Sequence, residues 1–263
     1  MKNLIWISSY PKSGNTWVRA IIYAGLIGKV DLNDFAKVVP AFNAMGMTGS
    51  NGRDAGNIDE QVLHWDAAQK LASGHASPKA QFFKTHNAAA TVNDVEFPSR
   101  DYTARAVYIV RDPRDVALSF SRHYDCDINE TIGTMLDDSF CSFDAHQSEF
   151  LSSWRNHVVS WNAKAFPVLF LRYEDLLKDP TSQIGRLFKF LGIRCKLPAR
   201  ELVEITAFEK LKAKEQQQGF VESVKGRQFF WRGESGLGKS FIGADFKKLE
   251  ADCSDIMKCF GYL

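Results

Sequence analysis

Four short runs of almost unbroken apolar residues, Leu4–Ser8, Ala80–Lys84, Ala104–Val110 and Val168–Arg172, punctuate this chain. Apolar residues at nearly every position, rather than at alternate ones, are what a strand buried on both faces requires. Between the runs, apolar positions recur at helical spacing over Thr16–Leu26, Asp59–Leu71, Val116–Tyr124, Phe150–Phe166 and Thr181–Leu191. Thr181 or Ser182 is the expected cap of the last helix and Gly192 its stop, while Asp112 and Pro113 suit the cap and first turn of the one before Tyr124. Strand and helix alternate, which predicts an α/β fold around a parallel sheet.

Two stretches break the pattern. Residues Ala41–Asn57 are rich in Gly, Asn, Ser and Met, and Glu215–Gly243 mixes a glutamine run with several glycines, cations and aromatics. Both are expected to be loops, and long loops in compact domains often carry function. No repeat or linker divides the 263 residues, 45% of them hydrophobic, so a single domain spanning 1–263 is expected.

Charge narrows the partners. With 33 basic against 31 acidic side chains the net charge is only +2, too balanced for a nucleic-acid or membrane surface, so any anion site must be local. The five cysteines, Cys126, Cys141, Cys195, Cys253 and Cys259, are odd in number and lack C-x-x-C spacing, which suits reduced thiols in a cytoplasmic protein. The first residues lack the apolar stretch of a signal peptide, and no run approaches a membrane span, so neither membrane nor nucleic acid is an expected partner.

Candidate chemistry gathers where strands end. The first strand runs into Tyr10-Pro11-Lys12-Ser13-Gly14-Asn15, a cationic turn that opens an apolar helix and so aims free N–H groups and a positive helix end at one point. The second ends in Lys84-Thr85-His86; a lone histidine is more often structural, but in open parallel sheets ligands collect beyond the carboxyl ends of strands, beside Lys12. The third leads into Arg111-Asp112-Pro113-Arg114-Asp115, with Ser119 two turns along; a guanidinium there can fork onto a phosphate, or the segment can be a solvated, capped helix start. Finally, Gly233-Glu-Ser-Gly-Leu-Gly238-Lys239-Ser240 matches the Walker A pattern letter for letter. Only 23 residues follow Ser240, too few for the strands and carboxylate that such a motif needs, so a chance match is expected.

Taken together, Tyr-Pro-Lys-Ser-Gly-Asn-Thr-Trp near the start, Lys-Thr-His at a strand end, Arg111 with Ser119, and Trp-Arg-Gly near the end resemble the PAPS-dependent sulfotransferases, in the family's order and over nearly the whole chain. The resemblance implies a three-layer, P-loop-NTPase-like sandwich and transfer of a sulfuryl group from 3′-phosphoadenosine-5′-phosphosulfate (PAPS) to a hydroxyl of a small molecule, without a metal. It places Lys12, Ser13, Gly14, Asn15 and Thr16 around the 5′-phosphosulfate, with Trp17 on the adenine. Arg111 and Ser119 match the 3′-phosphate clamp, as do Arg232 and Gly233, while Tyr173, Thr206 and Phe208 match nucleotide-contacting positions. For Trp17 and Phe208, ordinary core packing is the alternative. His86 is the implied general base, with Lys12 and Lys84 stabilising the transition state.

The chain departs from the family in three places. Trp231 stands where an Arg-Lys-Gly clamp has its first cation, Gly236-Leu-Gly stands where Gly-Asp-Trp commonly follows, and Ala88 replaces a proline common in the acceptor loop. A kinase or NTPase acting through Gly233–Ser240, or a nucleotide-binding module without catalysis, remain the alternatives. The acceptor pocket is expected from Ala41–Asn57, the segment after Asn87, Cys126–Phe143 and Glu215–Gly243; Met45, Met47, Phe140, Phe143 and Phe220 lean towards an apolar or aromatic acceptor.

Overall fold

The structure, a computed structural model, describes residues 2–49, 57–74, 79–143, 148–223, 227–241 and 243–263. Its strands are β1 (Leu4–Ser9), β2 (Gln81–Thr85), β3 (Ala90–Val92), β4 (Val95–Phe97), β5 (Thr103–Val110), β6 (Cys141–Phe143), β7 (Ser148–Phe150) and β8 (Val168–Arg172). Its helices are α1 (Asn15–Ile27), α2 (Phe35–Val38), α3 (Ala44–Met47), α4 (Ile58–Ala72), α5 (Pro113–Tyr124), α6 (Ile128–Leu136) and α7 (Trp154–Asn162), then α8 (Tyr173–Lys178), α9 (Pro180–Leu191), α10 (Ala199–Ile205), α11 (Phe208–Gln218), α12 (Ala244–Asp252) and α13 (Ser254–Cys259).

The four apolar runs become one parallel sheet in the order β2-β1-β5-β8. Successive side chains leave its two faces in turn. Leu4 and Trp6 of β1 join Ala106, Tyr108 and Val110 of β5 against Trp65 of α4, Val116 of α5 and Trp154 and Trp161 of α7. Ile5 and Ile7, with Val107, Ile109, Leu169 and Leu171, face the other way onto Val18, Ile21 and Ile22 of α1 and Leu187 and Phe188 of α9. Both faces are covered, giving the three-layer α/β sandwich that continuous apolar strands demand.

The helices after the adjacent strands β1 and β5 pack on opposite faces, α1 on one and α5 on the other. The winding therefore reverses between these strands, and a crevice opens beyond their carboxyl ends.

Several boundaries differ from the sequence reading for local reasons. The helix expected over Phe150–Phe166 is shorter because Phe150 pairs with Cys141 in the β6–β7 hairpin and Ser152 has φ of 58°. Ser153 then caps α7 by accepting from Asn156 N at 3.3 Å, and Phe166 precedes Pro167, whose ring disfavours a helical residue before it. The cap of α9 is Asp179 rather than Thr181 or Ser182: its carboxylate accepts from Ser182 N at 3.1 Å, with Pro180 in the first turn. Glu215 belongs to α11, so the second expected loop begins later, and Ala41–Asn57 contains the short α3. Of these two loops, residues 50–56, 224–226 and 242 lie outside the described residues.

The turn that starts α5 is locked by charge. The buried Arg114 guanidinium forks onto Asp112, Nε to Oδ1 at 2.9 Å and Nη2 to Oδ2 at 2.7 Å, and also donates to Glu250 at 2.6 Å and the Tyr262 carbonyl at 2.8 Å. Arg114→Ala strands the buried Asp112 carboxylate and is expected to cost about 3–5 kcal/mol, against at most about 1 kcal/mol for Arg155→Ala in the exposed Arg155–Asp255 pair. Urea unfolding of both variants checks the contrast, and equal midpoints would refute it.

Candidate active site

The β1–α1 turn is built by two left-handed residues, Lys12 at φ 67° and Gly14 at φ 103°. Gly14 is required twice over, since a Cβ there would lie 2.7 Å from Cδ2 of Tyr173. Asn15 ties the turn down by donating from Nδ2 to the Ile7 carbonyl at 3.0 Å. The first N–H groups of α1 have no partner within the helix, and its positive end faces the turn.

Arg111, just beyond β5, staples three segments. Its guanidinium lies 4.4 Å from the Tyr173 ring centre, and Nη1 donates to the Lys12 carbonyl at 3.1 Å and Nη2 to the Glu234 carbonyl at 3.0 Å. One turn into α5, Asp115 grips the C-terminal loop: its carboxylate accepts from Gly236 N at 2.6 Å and from Gly238 N at 2.7 Å.

At the end of β2 the imidazole of His86 is orientated by its Nδ1, which lies 2.7 Å from the Ser9 carbonyl. A carbonyl only accepts, so Nδ1 carries the proton and Nε2 keeps its lone pair. Enclosure by protein, and after it the Lys84 ammonium, hold the His86 pKa well below the usual imidazole value, so the ring is neutral. The backbone is fixed as firmly: His86 N donates to Glu149 Oε1 at 2.6 Å, and its carbonyl accepts from His157 Nε2 at 2.9 Å. His157 in turn takes the Tyr108 hydroxyl on Nδ1 at 2.7 Å. Lys84 sits 3.6 Å from the other oxygen of Glu149.

These three strand ends open into one cavity of about 520 Å³. Lys12, Gly14, Asn15, Thr16, Trp17, Lys84, His86, Arg111, Ser119, Tyr173, Phe208, Arg232 and Gly233 all line it. Two of the expected residues stand behind its wall. Ser13 is buried, and Thr206 turns its hydroxyl to the Leu202 carbonyl at 2.6 Å while its own carbonyl receives Trp17 Nε1 at 2.8 Å. Trp17 meets Tyr173 edge-on at 5.8 Å, and Phe208 lies so close to Gly233 that a Cβ there would come within 2.4 Å of its ring.

The cavity gathers more cations than carboxylates, with Lys12, Lys84, Arg111, Arg122 and Arg232 against Asp115, Glu149, Glu222 and Glu234. Enclosure, reinforced by Arg111, lowers the Lys12 pKa to about 7, and its ammonium rests 4.3 Å above the Phe229 ring centre. Ser13 Oγ and Arg111 Nε are buried donors without a partner among the described residues. Clustered cations, spare donors and a glycine that admits a close backbone approach suit a polyanionic nucleotide. The Walker-like run does not: it follows no strand, Leu237–Ser240 is a single 3-10 turn, and the N–H groups of Gly236 and Gly238 already hold the Asp115 carboxylate.

Sequence reasoning missed Glu149 and His157, because each reaches the site from a distant element; Asp115, Glu222 and Phe229 lie in segments it singled out, but their contacts are made across the fold. One signal was available: Arg19 stands alone as a cation within an apolar helix, and it is buried with Nη1 on Glu222 Oε1 at 2.6 Å. Of the residues expected around an acceptor, Met45, Met47, Phe140 and Phe220 do not line the cavity, and the Phe143 side chain lies outside the described residues. Ala41, His123, Tyr124, Ser142 and Glu149 line that side instead.

Comparison with known proteins gives the chain its family. The chain is similar to cytosolic sulfotransferase 14 of Arabidopsis thaliana, 26% identical over 87% of this chain and 67% of that protein. It is also similar to flavonol 4′-sulfotransferase of Flaveria chlorifolia (24%; 90% and 73%) and to bovine sulfotransferase 1A1, Bos taurus (27%; 78% and 65%). It thus spans roughly two thirds to three quarters of these relatives' own lengths. Its fold matches retinol dehydratase solved with androsterone and PAP (TM-score 0.65, 20% identity, 97% of this chain and 80% of that one). It also matches a mouse sulfotransferase solved with PAP (TM-score 0.61, 19%, 97% and 84%). The family model described as "Sulfotransferase domain" matches residues 2–258, and the chain belongs to that family, as a PAPS-dependent sulfotransferase.

Proposed function

We propose that residues 1–263 act as one sulfotransferase domain in which His86 is the general base for a hydroxyl of a small-molecule acceptor. The observation that carries this reading is the neutral His86 ring, its Nδ1–H committed to the Ser9 carbonyl, lining the same cavity as Lys12 and Lys84. PAPS supplies the sulfuryl group and leaves as 3′,5′-ADP. Its phosphosulfate fits the Lys12–Thr16 turn, its adenine the walls formed by Trp17, Tyr173 and Phe208, and its 3′-phosphate the corner of Arg111, Ser119, Arg232 and Gly233.

Each role follows from the side chain's surroundings. His86 Nε2 accepts the proton of the acceptor hydroxyl as the oxygen attacks, and the nearby Lys84 charge helps the imidazolium release that proton to solvent. Lys12 neutralises charge growing on the leaving phosphate oxygen, and Lys84 steadies the sulfuryl oxygens. No step calls for a metal. On the acceptor side, Tyr124, His123, Ser142 and Glu149 offer an aromatic face beside polar groups. The Arabidopsis thaliana relative is named cytosolic, which supports placing the enzyme in the cytoplasm; no helix among the described residues is long and apolar enough to cross a membrane.

His86→Ala is expected to slow sulfuryl transfer about 10²- to 10⁴-fold while 3′,5′-ADP binds as before. Single-turnover assays with PAPS and a panel of hydroxyl acceptors, paired with calorimetry, check this. Full activity in the variant would remove His86 from the mechanism, and absence of any PAPS turnover in the unaltered protein would favour a binding module without catalysis. Mg²⁺-dependent ATP turnover lost in Lys239→Ala but retained in Lys12→Ala would establish the kinase or NTPase alternative.

The lowered Lys12 pKa sets a pH dependence. In the free protein the ammonium deprotonates as pH rises through about 7, whereas an anion bound beside it favours the charged form. Binding of 3′,5′-ADP at pH 8 should therefore take up close to one proton and weaken as pH rises further. Calorimetry in buffers of different ionisation enthalpy measures the uptake, and Lys12→Met should abolish it.

A further inference from the structure

Trp231 replaces a cation that the family uses at the 3′-phosphate, yet this corner is not short of positive charge. Arg122 lies three residues beyond Ser119, on the same face of α5, and both line the cavity. Its guanidinium carbon lies 4.5 Å from the centre of the Trp231 ring, and that of Arg232 lies 4.4 Å from it. Neither guanidinium is paired with a carboxylate among the described residues. Among the described residues Arg122 donates one contact, a long one of 3.3 Å from Nη1 to the Gln228 carbonyl. A guanidinium resting on an aromatic ring uses its face there and keeps its in-plane N–H groups free, which are the groups that fork onto phosphate. Desolvation and the nearby Arg227 and Arg232 lower the Arg122 pKa, so the cluster is strained as it stands and is relieved by an anion.

We propose that Arg122 is the second cation of the 3′-phosphate subsite, moved from the C-terminal loop to α5, with the Trp231 indole holding the Arg122 and Arg232 guanidiniums beside Ser119. This rests on the reading of the donor as PAPS. The loop position held by Trp231 and the helix position held by Arg122 thus form a compensating pair.

Titration calorimetry with 3′,5′-ADP and 5′-AMP as probes tests it, since the two differ only in the 3′-phosphate. Arg122→Ala is expected to weaken 3′,5′-ADP about tenfold or more, the scale of one charge-assisted phosphate contact, and to leave 5′-AMP unchanged. Arg122→Ala combined with Trp231→Arg returns a cation to the loop and should recover most of the lost affinity. Unchanged binding of 3′,5′-ADP in Arg122→Ala, or equal weakening of both probes, would overturn the proposal. If the unaltered protein does not prefer 3′,5′-ADP over 5′-AMP, the donor reading itself fails.

Discussion

Positive charge gathered at the carboxyl edge of the sheet, and only partly answered by the protein's own carboxylates, is the constraint around which this site is arranged. Lys12, Arg111, Arg122 and Arg232 share one cavity. Several acidic residues beside them hold backbone N–H groups, Asp115 those of Gly236 and Gly238, Glu215 those of Phe229 and Phe230 at 2.6 and 2.9 Å, and Glu174 that of Asp112 at 3.0 Å, while Glu222 pairs with Arg19 and Glu149 faces Lys84. Carboxylates used in this way fold the loops over the cavity without cancelling the cations. The depressed Lys12 pKa records what that arrangement costs before an anion arrives.

The proposed base is held in place by a second set of contacts. His86 belongs to the end of β2, but Ser9 from β1 sets its tautomer, Glu149 from β7 holds its amide and His157 from α7 holds its carbonyl. Tyr108 completes the chain from β5. The buried His157 has its pKa lowered to about 4 by desolvation alone, so it serves as a neutral donor and acceptor and adds no charge. A hairpin of six described residues thus helps to hold His86 although its strands are too short to leave a sequence pattern.

The two Walker-like features show why letters need a fold around them. The turn at Lys12, without Walker spacing, joins a buried strand to a long helix and points its free N–H groups at the cavity. The run at Gly233–Ser240 has the letters, and its loop N–H groups do bind an anion, but that anion is Asp115 of the same chain. Gly238 must be glycine for a packing reason, since a Cβ would lie 2.4 Å from Cβ of Arg114.

The linear chain determined what is local. Four nearly unbroken apolar runs made the four strands of the sheet, the Asp112 cap and Gly192 stop were placed correctly, and Lys12, Lys84, His86 and Arg111 were legible as strand-end residues that line the cavity. Such features depend on neighbours within a few residues, so spacing alone carries them. Tertiary structure decided which distant groups meet. Only folding brings Glu149 and His157 to His86, Asp115 to the C-terminal loop, and Arg122 to Trp231, and it turns Thr206 away from the cavity and Phe220 into a core with Phe35 and Tyr23. These partners are separated by tens to more than a hundred residues, and no periodicity records a contact made across a sheet edge; the physical reason is that burial and charge act through space, not along the chain.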